Sequence, residues 1–340
     1  MVSEPGTEPD IDRAALDAAV TQASFTGVVT VDVGDERRFE RAEGFAHRAL
    51  RVPNTAQTRF AIASGSKTFT ALAVLRLIEQ GVLSLDTRVR SVLGADLPLI
   101  DDDVTVEHLL THTSGIGDYL DEEADWETND YVLPVPVHAL AHTEAFVPVL
   151  DGYAQSFPPG ERFAYCNGGY IVLALIAERA SGVEYHDLVG AEVCSRAGLA
   201  STSFLRSDDL PGDAALGYLF EEGDRTNVLH LPVRGNGDGG MYTTADDLHT
   251  FWSALTAGRI VNEETVEEMT RPRFEVPGED LRSGMGVFLG ATGPQLIIEG
   301  HDAGASFRSI HNPRTATTLS VLGNSSEGAW PVVALLTETV

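Results

Sequence analysis

The sequence predicts an α/β (α+β) fold: one sheet built from both chain ends and flanked by helices, with a large helical insertion between the ends. Three observations predict it. Strand-like segments gather near the two ends, and helix-like segments fill the middle. Apolar residues make up 43% of 340 residues, enough for a large core in one domain or two intimate ones. On this reading residues 1–65 and 272–340 form the sheet domain. Residues 66–271 form a mainly helical domain, and an active site lies between the two.

The elements follow in chain order. Ile11 to Ala23 has amphipathic helical spacing. Phe25 to Val33 and Arg38 to Phe45 read as strands joined by the turn Gly34-Asp35-Glu36. Ser66 to Gln80 is apolar on nearly every face (Phe69, Leu72, Val74, Leu75, Leu77, Ile78) and is closed by Gly81. A helix apolar all round is buried, so its N-terminus is expected near the centre of the protein. Val104 to Thr111, Tyr170 to Ser181 and Asp246 to Ala257 read as further helices. Strand character returns in Gly284 to Leu289, Gln295 to Glu299, Ser306 to His311 and Thr317 to Leu322, and Trp330 to Glu338 reads as a closing helix.

Composition narrows the function. The net charge is −28, from 51 acidic and 23 basic residues. Such a surface repels phosphate backbones and anionic headgroups, which argues against nucleic-acid or membrane partners. Two cysteines, Cys166 and Cys194, imply no disulfide framework. The acidic stretch Met1 to Asp12 lacks the basic and apolar regions of a secretory signal, and no apolar run approaches membrane-spanning length. The chain therefore reads as cytoplasmic.

Lys67 is the only lysine, so the other 22 basic residues are arginines (23 − 1). Arginine is effectively always protonated, whereas a buried lysine can be tuned to accept a proton. Lys67 lies in Ser64-Gly65-Ser66-Lys67 at the start of the buried helix, with Ser64 three residues earlier on the same face. A serine hydroxyl needs a base to attack a carbonyl, and a helix N-terminus offers N–H groups to a developing oxyanion. Tyr165-Cys166-Asn167 adds a phenol able to serve as general base and an amide able to orient a substrate. Taken alone, Tyr165 reads first as a buried tyrosine whose hydroxyl caps a loop. Gly300-His301-Asp302-Ala303-Gly304 opens a late strand, whose glycines let a substrate approach. There Gly304 is expected to give a second oxyanion N–H and His301 a hydrogen bond across the cleft.

These three elements, in this order, resemble the serine β-lactamase-like and penicillin-binding protein family: class C β-lactamases, D-alanyl-D-alanine carboxypeptidases and β-lactamase-like esterases. Framework segments carry the resemblance too: Phe60 to Lys67, Leu109 to Ile116, Pro159 to Tyr170 and Gly239 to Leu248. It implies a β-lactamase/transpeptidase-like fold with an antiparallel sheet. It also implies an acyl-enzyme on Ser64, proton work shared by Lys67 and Tyr165, substrate orientation by Asn167, and an oxyanion hole from the N–H groups of Ser64 and Gly304. His301 falls where the family has Lys or His heading a Lys/His-Thr-Gly motif. Asp302 and Ala303 replace the usual Thr-Gly, and the next segment is one residue short. Losing the threonine and the lysine charge removes a substrate-carboxylate anchor, unless Arg308 replaces it from the neighbouring strand. An esterase or amidase acting on a small ester or amide is thus expected. The alternatives are a D-amino-acid peptidase, a β-lactamase, an acyltransferase, or a non-catalytic binding or sensor protein on the same fold. No cofactor and no metal are implied, and the oligomeric state is not indicated.

Other motifs carry less. Gly235 to Gly240 fits Gly-x-Gly-x-x-Gly but lacks a clean preceding strand, so it reads as a loop, with Thr244 capping the helix beyond. His108 with His112, and His138 with His142, have helical metal-ligand spacing but no evident third ligand. Asp121 to Glu127 reads as a solvated loop.

Overall fold

The computed structural model describes residues 12–22, 25–121 and 127–336. The acidic N-terminal stretch up to Ile11, Ala23, the interior of the Asp121–Glu127 loop including Trp126, and Glu338 lie outside the described residues.

Eight strands form one sheet. They are β1 (Gly27–Val33), β2 (Glu36–Glu43), β3 (Phe274–Glu275), β4 (Leu281–Ser283), β5 (Phe288–Gly290), β6 (Leu296–Asp302), β7 (Ala305–Asn312) and β8 (Thr317–Gly323). Their spatial order is β2-β1-β8-β7-β6-β5-β4-β3, and every neighbouring pair is antiparallel. Both chain ends therefore contribute, as the strand-rich ends predicted.

β1 is buried along almost its whole length because both its faces are covered. Val29 and Val31 join Ile310, Leu319 and Val321 in a core shared with helices α1 (Arg13–Gln22) and α6 (Trp330–Leu336). Val28, Ile298, Phe307 and Leu322 point the other way, into the main helical core. That core contains α2 (Ser66–Glu79) and α4 (Asn167–Ser181), both buried on most faces. Between them in sequence comes the short helix α3 (Val106–Leu110), and α5 (Ala245–Thr256) packs against β1 and β8. Thr105 caps α3 and Thr244 caps α5, the latter taking the Asp247 N–H.

Several boundaries differ from expectation. The β1–β2 turn is only Gly34-Asp35, with Gly34 at φ 56°, so Glu36 already belongs to the strand. Gly284 to Leu289 is not one strand. A side chain at Gly286 (φ 70°) would meet Ala71 Cβ at 2.4 Å, and this close approach to α2 turns the chain out of the sheet before β5. Helix α4 begins three residues earlier than its apolar periodicity indicates, because Cys166 caps it: the Gly169 N–H reaches Cys166 Sγ at 3.3 Å.

Candidate active site

Ser64 occupies a 3-10 turn (Ala63–Gly65) that runs directly into α2. Ala63 has φ 43°, the left-handed region unusual for a residue with a Cβ. Two contacts hold this bend. Ser66 Oγ donates to the Ala63 carbonyl at 2.7 Å and accepts the Met241 N–H at 2.9 Å. Ser66 is therefore committed to the scaffold, while Ser64 lines a cleft of about 730 Å³.

Lys67 is 4% exposed, so its hydrogen-bond partners matter. Nζ lies 2.9 Å from Ser64 Oγ, 2.8 Å from Asn167 Oδ1 and 2.7 Å from the Asp238 carbonyl. As an ammonium, Lys67 donates to all three. As an amine, it donates to Asn167 and Asp238 and turns its lone pair to the Ser64 hydroxyl. The cradle satisfies both protonation states, which a proton-transferring lysine requires. Tyr165 also lines the cleft, and its ring centroid is 4.9 Å from Lys67 Nζ. Ser64, Lys67, Tyr165 and Asn167 thus converge from two helix starts.

Neighbours fix this group. His112 stacks between Tyr165 and Tyr170, with ring centroids 4.5 and 4.9 Å away. Its Nδ1 accepts the Cys166 N–H at 3.1 Å, which places any ring proton on Nε2. Burial, reinforced by the charge of Lys67, pulls its pKa down to about 3, so it is neutral. His108 takes the Thr105 N–H in the α3 cap, so this pair serves two separate structural purposes. Among the described residues no group of three or more His, Cys, Asp or Glu is arranged to hold a metal ion.

Asp118 accepts the N–H groups of Asn167 (2.5 Å) and Gly168 (2.8 Å) at the start of α4, where the helix dipole favours a negative charge. Burial outweighs these bonds and raises its pKa to about 6. Tyr119 donates to Asp238 Oδ2 at 2.5 Å. Burial, with the charges of Asp238, Asp118 and Asp302, pushes this phenol well above its ordinary range. The Gly235–Gly240 run is the loop that carries Asp238. A side chain at Gly237 would meet the Tyr170 carbonyl at 2.0 Å, so only glycine lets the loop pass α4 and deliver the Asp238 carbonyl to Lys67. Motif reading missed Asp118, Tyr119 and Asp238. The available signals were that glycine density and the Gly117-Asp118-Tyr119 extension of the Leu109–Ile116 segment.

The β6 edge differs from expectation. Gly300 is the residue against the nucleophile: a Cβ there would lie 2.2 Å from the Ile62 carbonyl and 2.7 Å from the Ser64 nitrogen. Strand alternation turns the next side chain, His301, to the opposite face. There Nε2 is 2.9 Å from Glu327 Oε1, and the ring meets Trp330 edge-on at 5.8 Å. His301 stays on the cleft lining but is tied to Glu327 and Trp330 rather than aimed across at Ser64. Gly304 sits in the two-residue β6–β7 turn, and its N–H is held by Ser326 Oγ at 2.9 Å. It is not brought to the nucleophile. β5 pairs with β6 only at Leu296 and Ile297, which opens the β6 edge from Ile298 onward beside Ser64. Arg308 does not stand as a free anchor, because its Nε donates to Glu299 at 2.6 Å.

The family model described as Beta-lactamase matches residues 13–337, nearly the whole chain. This chain belongs to the β-lactamase family. Among its members, a penicillin-binding protein of solved structure from Bacillus halodurans is 37% identical, with a TM-score of 0.89 over 96% of this chain and 100% of that one. Penicillin-binding protein 4* of Bacillus subtilis (strain 168) is 29% identical over 82% of this chain, and the chain spans 63% of that relative's length. Esterase EstB of Burkholderia gladioli is 29% identical over 76% of this chain and 72% of its own. The β-lactamase/transpeptidase-like fold implied by the resemblance is the one observed. No described helix is long and apolar enough to cross a membrane.

Proposed function

We propose that this β-lactamase-family protein is a serine hydrolase that forms an acyl-enzyme on Ser64 with small esters or amides. The observation that carries the reading is the 2.9 Å contact between Lys67 Nζ and Ser64 Oγ inside a cradle suited to both protonation states of the amine. Ser64 Oγ attacks the substrate carbonyl, and its proton passes to the Lys67–Tyr165 pair. The carbonyl oxygen, now anionic, is received by the Ser64 N–H and by an N–H of the open β6 edge next to Gly300. The stored proton leaves with the alcohol or amine, and water then releases the acid by the reverse sequence. Asn167 positions Lys67 and the substrate carbonyl side. An esterase among the relatives supports ester acyl donors.

The neutralised Arg308 and the lack of a Lys-Thr-Gly element count against substrates held by a carboxylate, such as β-lactams and C-terminal D-peptides. We take residues 1–65 with 272–340 as one unit and 66–271 as the other, with the cleft at their junction. Stopped-flow hydrolysis of p-nitrophenyl acetate tests the reading. The expected result is a burst of about one equivalent of nitrophenol followed by steady turnover. Release that stops at one equivalent identifies a slow sensor rather than an enzyme. Absence of any burst or turnover contradicts the proposal.

A further inference from the structure

Gly300 and Asp302 are two residues apart on β6, so their side-chain directions share one face of the strand. Gly300 packs directly on the Ser64 nitrogen. Asp302 lines the cleft about 7 Å along the strand from Gly300, with its Oδ1 accepting the Ala303 N–H at 2.9 Å. From the opposite wall Asp238 approaches. Its carbonyl binds Lys67 at 2.7 Å, and its carboxylate lines the same cleft, held by the Tyr119 hydroxyl. Two carboxylates thus line the cleft that contains Ser64.

The charge inventory points the same way. Asp238, Glu279, Glu299 and Asp302 line the cleft against one arginine, Arg308, which is bonded to Glu299. Lys67, below the nucleophile, is surrounded by Ser64, Asn167 and the Asp238 carbonyl. A cleft walled by one sign of charge concentrates the opposite sign.

Resting on the serine-hydrolase reading above, we propose that the cleft selects acyl donors with a positive charge beside the reacting carbonyl, namely esters and amides of α-amino acids with a free ammonium. Asp238 and Asp302 are its specificity-determining residues. They hold the ammonium while Ser64 attacks the adjacent carbonyl, and they repel acyl groups that bear a carboxylate.

The test compares D- and L-phenylalanine methyl esters in three forms: free ammonium, N-acetyl (neutral) and N-succinyl (anionic). The acid product is measured by chromatography at pH 6.5, below the usual α-amine pKa of about 8. The expected kcat/KM for the ammonium ester of one enantiomer exceeds that of its N-acetyl form by about tenfold or more, with the N-succinyl form slowest. Asp302→Asn and Asp238→Asn keep shape and hydrogen-bonding capacity but remove the charge. Each is expected to lower the ammonium-to-acetyl ratio at least about fivefold. Reading a ratio within one variant cancels any loss of folding or of catalytic geometry common to both substrates. A native ratio near or below one, or a ratio unchanged in both variants, overturns the proposal. Acylation of Ser64 by p-nitrophenyl acetate without turnover of any phenylalanine ester overturns it while leaving the serine-hydrolase reading intact. Failure of every ester, p-nitrophenyl acetate included, overturns both.

Discussion

Lys67 Nζ stands 2.9 Å from Ser64 Oγ, and the same nitrogen is held by Asn167 on α4. Arginine at position 67 keeps the charge but cannot release a proton at working pH. Lys67→Arg is expected to lower the acylation rate about a hundredfold or more, nearly as far as Lys67→Ala. Guanidinium bulk is controlled by reductive methylation of the native protein, in which Lys67 and the N-terminal amine are the only targets. Dimethylation at Lys67, confirmed by mass spectrometry, should alter or silence the pH–rate profile. An unchanged profile removes Lys67 from the mechanism.

Asp118 links α4 to the site, and burial raises its pKa to about 6, which predicts an acid limb in the pH–rate profile. Below that pH the carboxyl is protonated and accepts the Asn167 and Gly168 N–H groups more weakly, which loosens the Asn167 contact to Lys67. kcat/KM is expected to fall as pH drops through about 6. Asp118→Asn should show a lower rate without this limb. A limb of the same midpoint in the variant shows that another group titrates.

Stability should fall on acidification for a separate reason. Burial pulls His112 to about 3, and burial together with His249 pulls His311 to about 4. Unfolded histidine titrates near 6.5. Between these values the unfolded chain binds more protons, so each histidine's contribution is complete above about pH 6.5 and is lost as pH falls through the folded value. Urea midpoints measured from pH 7.5 to 4.5 should decline. The decline should be shallower in His311→Asn, and an equal decline contradicts the assignment.

Ser66 illustrates a role that motif reading does not reveal. Its sequence position suggests a dispensable hydroxyl, since no lysine follows three residues later. In the structure it is fully buried and ties Ala63 to Met241. Ser66→Ala is expected to lower stability by about 1–3 kcal/mol, by leaving the Met241 N–H without its acceptor. Thermal unfolding checks this, and an unshifted midpoint contradicts it.

The parts legible in the sequence are those encoded locally. The apolar run after Ser66 marked α2 as buried, and the strand-rich ends marked the sheet. Ser64, Lys67, Tyr165 and Asn167 stood in motifs, and the structure brings all four together. What was not legible depends on contacts distant in sequence or on register. Asp238 reaches Lys67 from 171 residues away, through a carbonyl that any residue possesses. His301 and Gly304 do not meet Ser64, because β6 continues to Asp302 and turns in only two residues. In a strand, a one-residue difference in register exchanges the two faces, so Gly300 rather than His301 meets Ser64.

The central claim is that Ser64 carries the acyl group. Intact-mass and peptide analysis after quenching p-nitrophenyl acetate turnover tests it most directly. One acetyl group per chain is expected, on the peptide containing Ser64 and Ser66, present in Ser66→Ala and absent from Ser64→Ala. Acetylation that persists in folded Ser64→Ala but disappears in folded Ser66→Ala would contradict it.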